Sequence, residues 1–177
     1  SGRELLWAGT DDGNIWVRDE NETWSKVSEN VKDIPENVYI QQIHLNINNE
    51  KEAWIVANNY RQNDWKPYLY HTDNQGKTWK NIVTNDIEGH TLSFLQDSMN
   101  PSLLFLGTDR GLYYSFNSGQ KWHRFSQIPA CPVQDLVRQK GEDDLVIGTF
   151  GRSIWFMDVL ETFRSLGQEI KDSFKII

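Results

Sequence analysis

The chain has 177 residues, with 18 Lys and Arg against 25 Asp and Glu, which gives a net charge of −7. This negative balance argues against nucleic acid as a partner, because phosphates have to be met by a surplus of cations. Hydrophobic residues make up 38% of the sequence, and no apolar run reaches the roughly 18 residues that predict a membrane span. The one cysteine, Cys131, excludes an internal disulfide and a thiolate metal cluster.

A repeat organises the sequence. Residues 6–16, 105–114 and 146–155 share one shape, in which a short apolar run leads to Gly-Thr and then to a second apolar run. The glycines of the first two copies are 98 residues apart, or two periods of 49, and the last two are 41 apart. A divergent copy over residues 52–71 fills the gap. Periods of roughly 40 to 50 residues are typical of propellers and other repeat folds.

Each repeat is predicted to form short antiparallel strands, because β-branched and aromatic residues alternate with Gly, Asn and Asp at short intervals. We assign four strands per repeat, lettered A to D from the inside outward. In the third repeat they are expected at residues 91–96, 103–107, 111–116 and 121–125. Four strands at this period predict a β-propeller blade. The competing interpretation is a β-sandwich with accidental internal similarity.

The strand count indicates an incomplete ring. The first repeat starts at strand B and the last ends at strand C, which predicts 14 strands, or about three and a half blades, over residues 1–157. Because propellers close their ring, such an arc leaves two blade faces bare. The expected partners are therefore the remaining blades of a longer chain or a second copy of this one.

The tail over residues 158–177 changes character. Leu160, Phe163 and Leu166 recur at three-residue steps, which predicts a helix. Two interpretations are open. The segment either packs on the last blade or leads to a following domain, or it is a helix that docks a partner.

A second signal follows three of the repeats, at residues 17–24, 72–79 and 115–122, and each copy ends in a tryptophan. These turn motifs resemble the Asp-box, or bacterial neuraminidase repeat, with the pattern Ser-x-Asp-x-Gly-x-Thr-Trp. We expect them to be structural, since a short acceptor can bond the turn that follows and Gly tolerates a left-handed backbone. The residues concerned are Asp19, Trp24, Asn74, Gly76, Trp79, Asn117, Gly119 and Trp122. In the first copy, Asn21 is expected to take the left-handed position.

Over about residues 4–166 the chain resembles the last part of sortilin-like, glycosyl-hydrolase-like propeller proteins of bacteria. Residues 64–70, 104–113, 132–136 and 144–155 carry this likeness. The resemblance implies a longer parent chain that is secreted or periplasmic. Related Asp-box propellers include sialidases, xyloglucan-cleaving enzymes and the ligand-binding region of sortilins.

Functional loops are expected on one face of the arc. If strand A is innermost, the B–C and D–A connections share that face, and the turn motifs lie on the other. Arg61, Arg110 and Arg152 then come from three consecutive blades and could bind a carboxylate or sulfate. Alternatively, each arginine pairs with a neighbouring aspartate.

Carboxylates on the same face are candidates for cleaving a sugar, and aromatic residues there are candidates for binding one. Glycoside hydrolysis needs two carboxyl groups, for which Asp11 or Asp12 with Asp109 are weak candidates, since a partner could equally lie in other blades. Tyr60 and Trp65, in a B–C loop predicted over residues 58–67, could stack on a pyranose ring or merely pin the loop.

The four histidines lack metal-ligand spacing and the chain has no glycine-rich phosphate loop, so we expect neither a metal nor a cofactor. The leading hypothesis is a carbohydrate-facing propeller segment that is not catalytic alone. The alternative is a sortilin-like scaffold that binds a protein or peptide.

Overall fold

Short strands dominate the computed structural model, which describes residues 5–139, 141, 144–158 and 160–173. Its described residues form 14 strands and one α-helix, α1 (Leu160–Ser173). The strands are β1 (Leu6–Gly9), β2 (Ile15–Arg18), β3 (Trp24–Lys26), β4 (Tyr39–Leu45), β5 (Ala53–Asn59), β6 (Asp64–Thr72), β7 (Lys80–Asn81), β8 (Thr91–Gln96), β9 (Leu104–Thr108), β10 (Gly111–Ser115), β11 (His123–Arg124), β12 (Val133–Arg138), β13 (Leu145–Thr149) and β14 (Ile154–Met157). Single turns of 3-10 helix cover Ser28–Asn30 and Tyr60–Gln62.

The strands form four antiparallel sheets, each built from consecutive strands of the chain. The first and last sheets, β1–β3 and β12–β14, have three strands, and the two central sheets, β4–β7 and β8–β11, have four. β8 contacts both β4 and β12, so the first strand of each complete blade is innermost. β1 contacts β4 as β5 contacts β8, which identifies β1 as a strand B. The predicted count of 14 strands is confirmed.

Apolar side chains hold each sheet against the next. One cluster joins the first two sheets through residues such as Ile15, Val17 and Ile55. A second joins the central pair around Trp54, Phe94 and Leu106. A third, which includes Phe105 and Ile147, joins the last two. Because the sheets pack in sequence, the fold is a partial β-propeller, and the sandwich alternative does not apply.

The connection predicted as a long loop over residues 58–67 is instead a strand hairpin, so that prediction was wrong. β5 runs to Asn59 and β6 begins at Asp64, and the two residues pair. Only Tyr60–Gln62 and Asn63 separate the strands. A bulge in the pairing absorbs Pro67, whose missing N–H would otherwise leave a gap in the ladder.

The three turn motifs share the hydrogen bonds expected of their third residue. Asp19 Oδ1 accepts from the backbone N–H of Thr23 at 2.9 Å. Asn74 Oδ1 accepts from Thr78 at 3.0 Å, and Asn117 Oδ1 from Lys121 at 2.9 Å. These bonds close each turn locally, which supports a structural role.

Backbone conformation differs in the first motif. Gly76 and Gly119 have φ of 77° and 82°, as expected. In the first copy the left-handed residue is Glu22, with φ 62°, and not Asn21. The two turns with glycine each have a second left-handed residue, Gln75 or Ser118, whereas Glu22 is the one left-handed residue of the first turn. Glu22 Oε1 also lies 2.5 Å from the Arg18 guanidinium.

Two of the three tryptophans that end the motifs, Trp79 and Trp122, pack on the preceding blade. Trp122 is 2% exposed, and its Nε1 donates to the carbonyl of Ile82 in the blade before it at 2.9 Å. Trp79 meets Trp7 of the first blade edge to face, with ring centroids 5.9 Å apart. Trp24 belongs to the first blade and is 47% exposed.

Helix α1 packs within the chain. Leu160 and Phe163 belong to the apolar cluster between the last two sheets. There the ring centroids of Phe163 and Phe105 are 5.7 Å apart. Arg164 forms a two-pronged ion pair with buried Asp97, over 2.7 and 2.9 Å. Residues 159 and 174–177 of the predicted tail lie outside the described residues. The helix is too short and too polar to cross a membrane, and the described chain has no other α-helix.

Candidate ligand-binding face

Backbone hydrogen bonds place the B–C and D–A connections on one face of the arc, which we call the top face. Ile40 N donates to Thr10 O at 3.2 Å, and Asp109 N donates to His90 O at 3.1 Å. In the last blade, Phe150 N donates to Pro132 O at 2.9 Å. The second and third turn motifs bond to A–B turns at the opposite face, where Gln75 N donates to Lys51 O at 2.9 Å and Ser118 N donates to Ser102 O at 3.0 Å.

An aromatic group from two blades lies on the top face. The ring centroids of Tyr60 and Trp65, from the β5–β6 hairpin, are 6.1 Å apart. His90, from the connection before β8, lies 5.0 Å from Tyr60 and 5.5 Å from Trp65. His90 is buried, whereas Tyr60 and Trp65 are 37% and 53% exposed. The two exposed rings therefore rest on a buried third.

Local bonds fix the hairpin that carries this aromatic group. Trp65 Nε1 donates to Asn63 Oδ1 at 3.1 Å, and Asn63 takes a left-handed φ of 60°. At the base, the Tyr68 hydroxyl donates to Asp64 Oδ2 at 2.6 Å. Burial by itself would raise the pKa of the Asp64 carboxyl, but hydrogen bonds from Tyr68, Lys66 and Asn59 lower it below its usual value. The carboxylate is therefore ionised at neutral pH and acts as an acceptor that holds the hairpin.

Asp109 and His90 form a polar pair beneath the rings. Asp109 Oδ1 accepts from the backbone N–H of His90 at 3.0 Å and lies 3.4 Å from His90 Nδ1. That Nδ1 is buried and lacks hydrogen-bond geometry to any partner in the described structure. Burial lowers the pKa of His90, Asp109 opposes this shift, and Arg110 adds to it, so the imidazole is neutral at pH 7.

The close approach of Asp109 depends on Gly89. Gly89 has φ +80°, and a Cβ there would lie 1.9 Å from Asp109 Oδ1 and 2.7 Å from Arg110 Cγ. Only glycine satisfies both the backbone angle and the space.

Each of two predicted arginines has its own neighbour. The Arg61 guanidinium lies over the Tyr39 ring, 4.6 Å from its centroid. Arg110 Nε lies 3.4 Å from Asp109 Oδ2, and the Arg110 side chain is largely exposed. Arg152 lies in the exposed turn before β14, where its carbonyl accepts from Trp155 Nε1. In the described part of the chain, no contact brings two of these guanidinium groups together. A shared anion site therefore remains a prediction.

The first B–C turn holds Asp11 and Asp12, both exposed. Asp12 Oδ1 accepts from Thr10 Oγ1 and, at 2.8 Å, from Asn14 Nδ2. These hydrogen bonds lower the pKa of Asp12. The described contacts thus tie Asp12 into its own turn, and a catalytic pairing with Asp109 remains untested.

Sequence reasoning missed His90 and Gly89, because scattered histidines were weighed only as metal ligands. A signal was present in the chain, since His90 follows Gly89 directly before strand β8, which carries the apolar residues Leu92, Phe94 and Leu95. No group of three or more His, Cys, Asp or Glu side chains within the described ranges is placed to hold a metal ion.

No profile of a known protein family matches the chain, and no curated protein matches it. Solved structures do. A GH74 enzyme of Niastella koreensis aligns with 88% of this chain and 26% of its own, at 22% identity and TM-score 0.67. YCF48 bound to D1 peptide aligns with 88% of this chain and 52% of its own, at 18% identity and TM-score 0.59. The computationally designed Ika4 protein aligns over 88% and 86%, at 11% identity and TM-score 0.59.

These structural similarities agree with the order of the sheets, and both show a β-propeller fold. The chain spans about a quarter of the length of the GH74 enzyme it matches. Other blades therefore accompany the corresponding segment in that protein.

Proposed function

We propose that the top face binds carbohydrate, and that the chain contributes binding loops to an exported, glycoside-hydrolase-like Asp-box propeller. One observation carries the proposal, which is the exposed pair of rings of Tyr60 and Trp65 above buried His90. Flat, partly exposed aromatic faces suit the apolar faces of pyranose rings.

Preorganisation supports binding rather than a purely structural role for these rings. The Trp65 indole is held by Asn63, yet half of its surface stays open to solvent. Because the ring is already oriented, a ligand loses little affinity to ordering it.

Polar groups beside the rings supply hydrogen bonds for sugar hydroxyls. The exposed Arg110 side chain presents donors, and the Asp109 carboxylate presents acceptors beneath it. Asp109 is connected to the rings through its contact with His90, so we expect Asp109 and Arg110 to border the bound sugar.

We expect the isolated chain to bind without cleaving. Glycoside hydrolysis requires two carboxyl groups about 5–9.5 Å apart. The Asp12 carboxylate accepts hydrogen bonds from its own turn, and the Asp109 carboxylate contacts His90 and Arg110. Release of reducing sugar by the purified chain would contradict this expectation.

A second candidate is a scaffold that binds a protein or peptide. YCF48, one of the solved propellers above, is bound to a peptide in its structure. In this chain the exposed Arg110 would suit an acidic peptide. Aromatic platforms bind both sugars and peptides. Titration with each class of ligand therefore distinguishes the two functions.

The test is calorimetric titration with a panel of neutral oligosaccharides, including xyloglucan fragments, and with acidic peptides. Tyr60→Ala and Trp65→Ala should each weaken oligosaccharide binding at least about tenfold, as aromatic hot spots do. The matched control is Phe150→Ala, an exposed aromatic residue on the top face of another blade. Unchanged affinity in both site variants, or binding of peptides alone, would contradict carbohydrate binding.

A further inference from the structure

We infer that the chain binds a small aliphatic carboxylate in a groove at the end of the inner strands that lies away from the top face. The aromatic group lies at the other end of these strands, so the inference is independent of the proposed carbohydrate binding. The ligand has an apolar chain for the walls of the groove and one negative charge for Arg138.

Three consecutive blades form the groove. Strands β4, β8 and β12 are the innermost of their sheets, and each contributes residues from the end that leads into its A–B turn. The groove has a volume of about 590 Å³. Pockets of about 300–1,000 Å³ are typical for small molecules. Its size therefore favours a small molecule over a protein segment.

The walls of the groove are mainly apolar. Leu45 and Ile47 come from β4 and the turn after it, Leu95 from β8, and Leu136 and Val137 from β12. Leu136 belongs to the apolar cluster between the last two sheets, and Leu95 packs against it, so this part of the wall is fixed. Ile47 is 68% exposed. An aliphatic chain in the groove would cover it, and burial of apolar surface favours binding.

Hydrogen bonds between blades hold the groove in shape. Gln96 N donates to His44 Nε2 at 3.4 Å, which connects β8 to β4. Gln96 Nε2 donates to the carbonyl of Pro101 at 3.0 Å. Arg138 Nη1 donates to Ser98 Oγ, which connects β12 to the turn after β8. Because the walls are already connected, a ligand loses little affinity to ordering them.

Charge selects the ligand. Arg138 is the one permanently charged side chain of the described groove lining, and none of these lining residues is a carboxylate. The whole chain, in contrast, has a net charge of −7. A guanidinium has five N–H donors, of which Ser98 accepts from one. A carboxylate can take two parallel bonds from such a fork. The groove therefore fits an aliphatic carboxylate better than a neutral or cationic amphiphile.

The first test is calorimetric titration of the chain with octanoate, acetate and octylammonium. Octanoate should bind saturably, with one molecule per chain. Acetate lacks the aliphatic chain and octylammonium reverses the charge, so each should bind at least about tenfold more weakly. Equal affinity for octanoate and octylammonium, or no saturable binding of octanoate, would overturn the inference. Tighter binding of a short leucine-rich peptide with a free carboxyl end would overturn it too, because the groove would then hold a protein segment.

The second test removes the charge. Arg138→Met should weaken octanoate binding at least about tenfold and leave the affinity for octanol within about twofold. Ser98→Ala is the control for structure, because it removes the same hydrogen bond and keeps the guanidinium. It should retain octanoate binding. Unchanged octanoate affinity in Arg138→Met, or an equal loss in Ser98→Ala, would contradict recognition of the carboxylate by Arg138.

The third test compares Ile47→Ser with Met99→Ser. The two side chains are 68% and 67% exposed on the A–B turns of adjacent blades, but Met99 lies outside the groove lining. Because both residues are exposed, the fold should tolerate both substitutions. Ile47→Ser should weaken octanoate binding at least about threefold, and Met99→Ser should leave it unchanged. Equal effects would mean that octanoate adsorbs to exposed apolar residues in general, which would overturn the inference.

Discussion

Asp109 holds the segment before β8 at two points of His90, accepting from its backbone N–H at 3.0 Å and lying 3.4 Å from its ring Nδ1. The contact joins a B–C turn to a D–A connection of the same blade. It also fixes the ring against which Tyr60 and Trp65 rest. The polar pair and the aromatic group are therefore one unit.

Gly89→Ala should break this unit. The new Cβ would overlap Asp109 Oδ1 at 1.9 Å and also force a left-handed alanine. Gly151→Ala is the matched control, because Gly151 has φ +79° and no atom within 4 Å of the added Cβ. The control should lose about 1 kcal/mol in chemical denaturation from backbone strain alone. Gly89→Ala should lose a further 1–3 kcal/mol or so. Equal losses would mean that Asp109 is not held where the structure has it.

His90 should make stability depend on pH. Its pKa in the folded chain lies below the ordinary value of 6.5, chiefly through burial. Between those two values the unfolded chain binds more protons, so the free energy of unfolding should fall as pH drops below about 6.5.

Denaturant titrations of wild type and His90→Gln over this pH range check the expectation. The variant should show a smaller loss of stability toward acid, while His123→Gln, at an exposed histidine of β11, should follow the wild type. Parallel curves for wild type and His90→Gln would contradict burial of a neutral imidazole.

The ion pair of Asp97 and Arg164 should anchor helix α1. The Asp97 side chain is 1% exposed, and it also accepts from the backbone N–H of Asn100 at 2.8 Å. Removing one partner of a buried pair costs about 3–5 kcal/mol, so Asp97→Ala should lower the free energy of unfolding by that order.

The surface pair of Arg18 and Glu22 provides the comparison for this measurement. Glu22→Gln should cost less than about 1 kcal/mol, because exposed ion pairs contribute little. A similar small loss in Asp97→Ala would mean that α1 does not depend on this contact.

Asn117→Ala should affect stability and leave ligand binding unchanged. It removes acceptors for the Lys121 backbone and the Ser115 hydroxyl, both at 2.9 Å, each worth about 1 kcal/mol. The turn lies opposite the top face, since Ser118 N donates to Ser102 O. Asn117→Asp keeps the acceptor and should be close to wild type in thermal melts. A loss of oligosaccharide affinity in Asn117→Ala would contradict a purely structural motif.

Much of the fold could be predicted because its signals are local. Strand β8 lies at residues 91–96 as expected, and β9 and β10 begin and end within one residue of expectation. Alternating apolar residues and turn glycines determine where these strands begin and end, and both signals lie within a few residues of the strand itself. The β5–β6 hairpin was misjudged because Pro67 and the polar residues before it imitate a loop, while pairing with β5 decides the outcome.

The candidate site was only partly visible in the sequence. Tyr60 and Trp65 could be selected from one hairpin. Their contact with His90 spans 30 residues for Tyr60, and the Asp97–Arg164 pair spans 67. Such contacts follow from the way blades stack, which no local pattern encodes.

The most direct test of carbohydrate binding follows the indole N–H signals of the eight tryptophans by NMR during titration with the tightest oligosaccharide of the panel. Loss of one signal in Trp65→Phe assigns that residue. We predict that the Trp65 signal shifts in a saturable way while that of buried Trp122 stays in place. Saturable binding without movement of the Trp65 signal, or no binding by any sugar, would contradict the account.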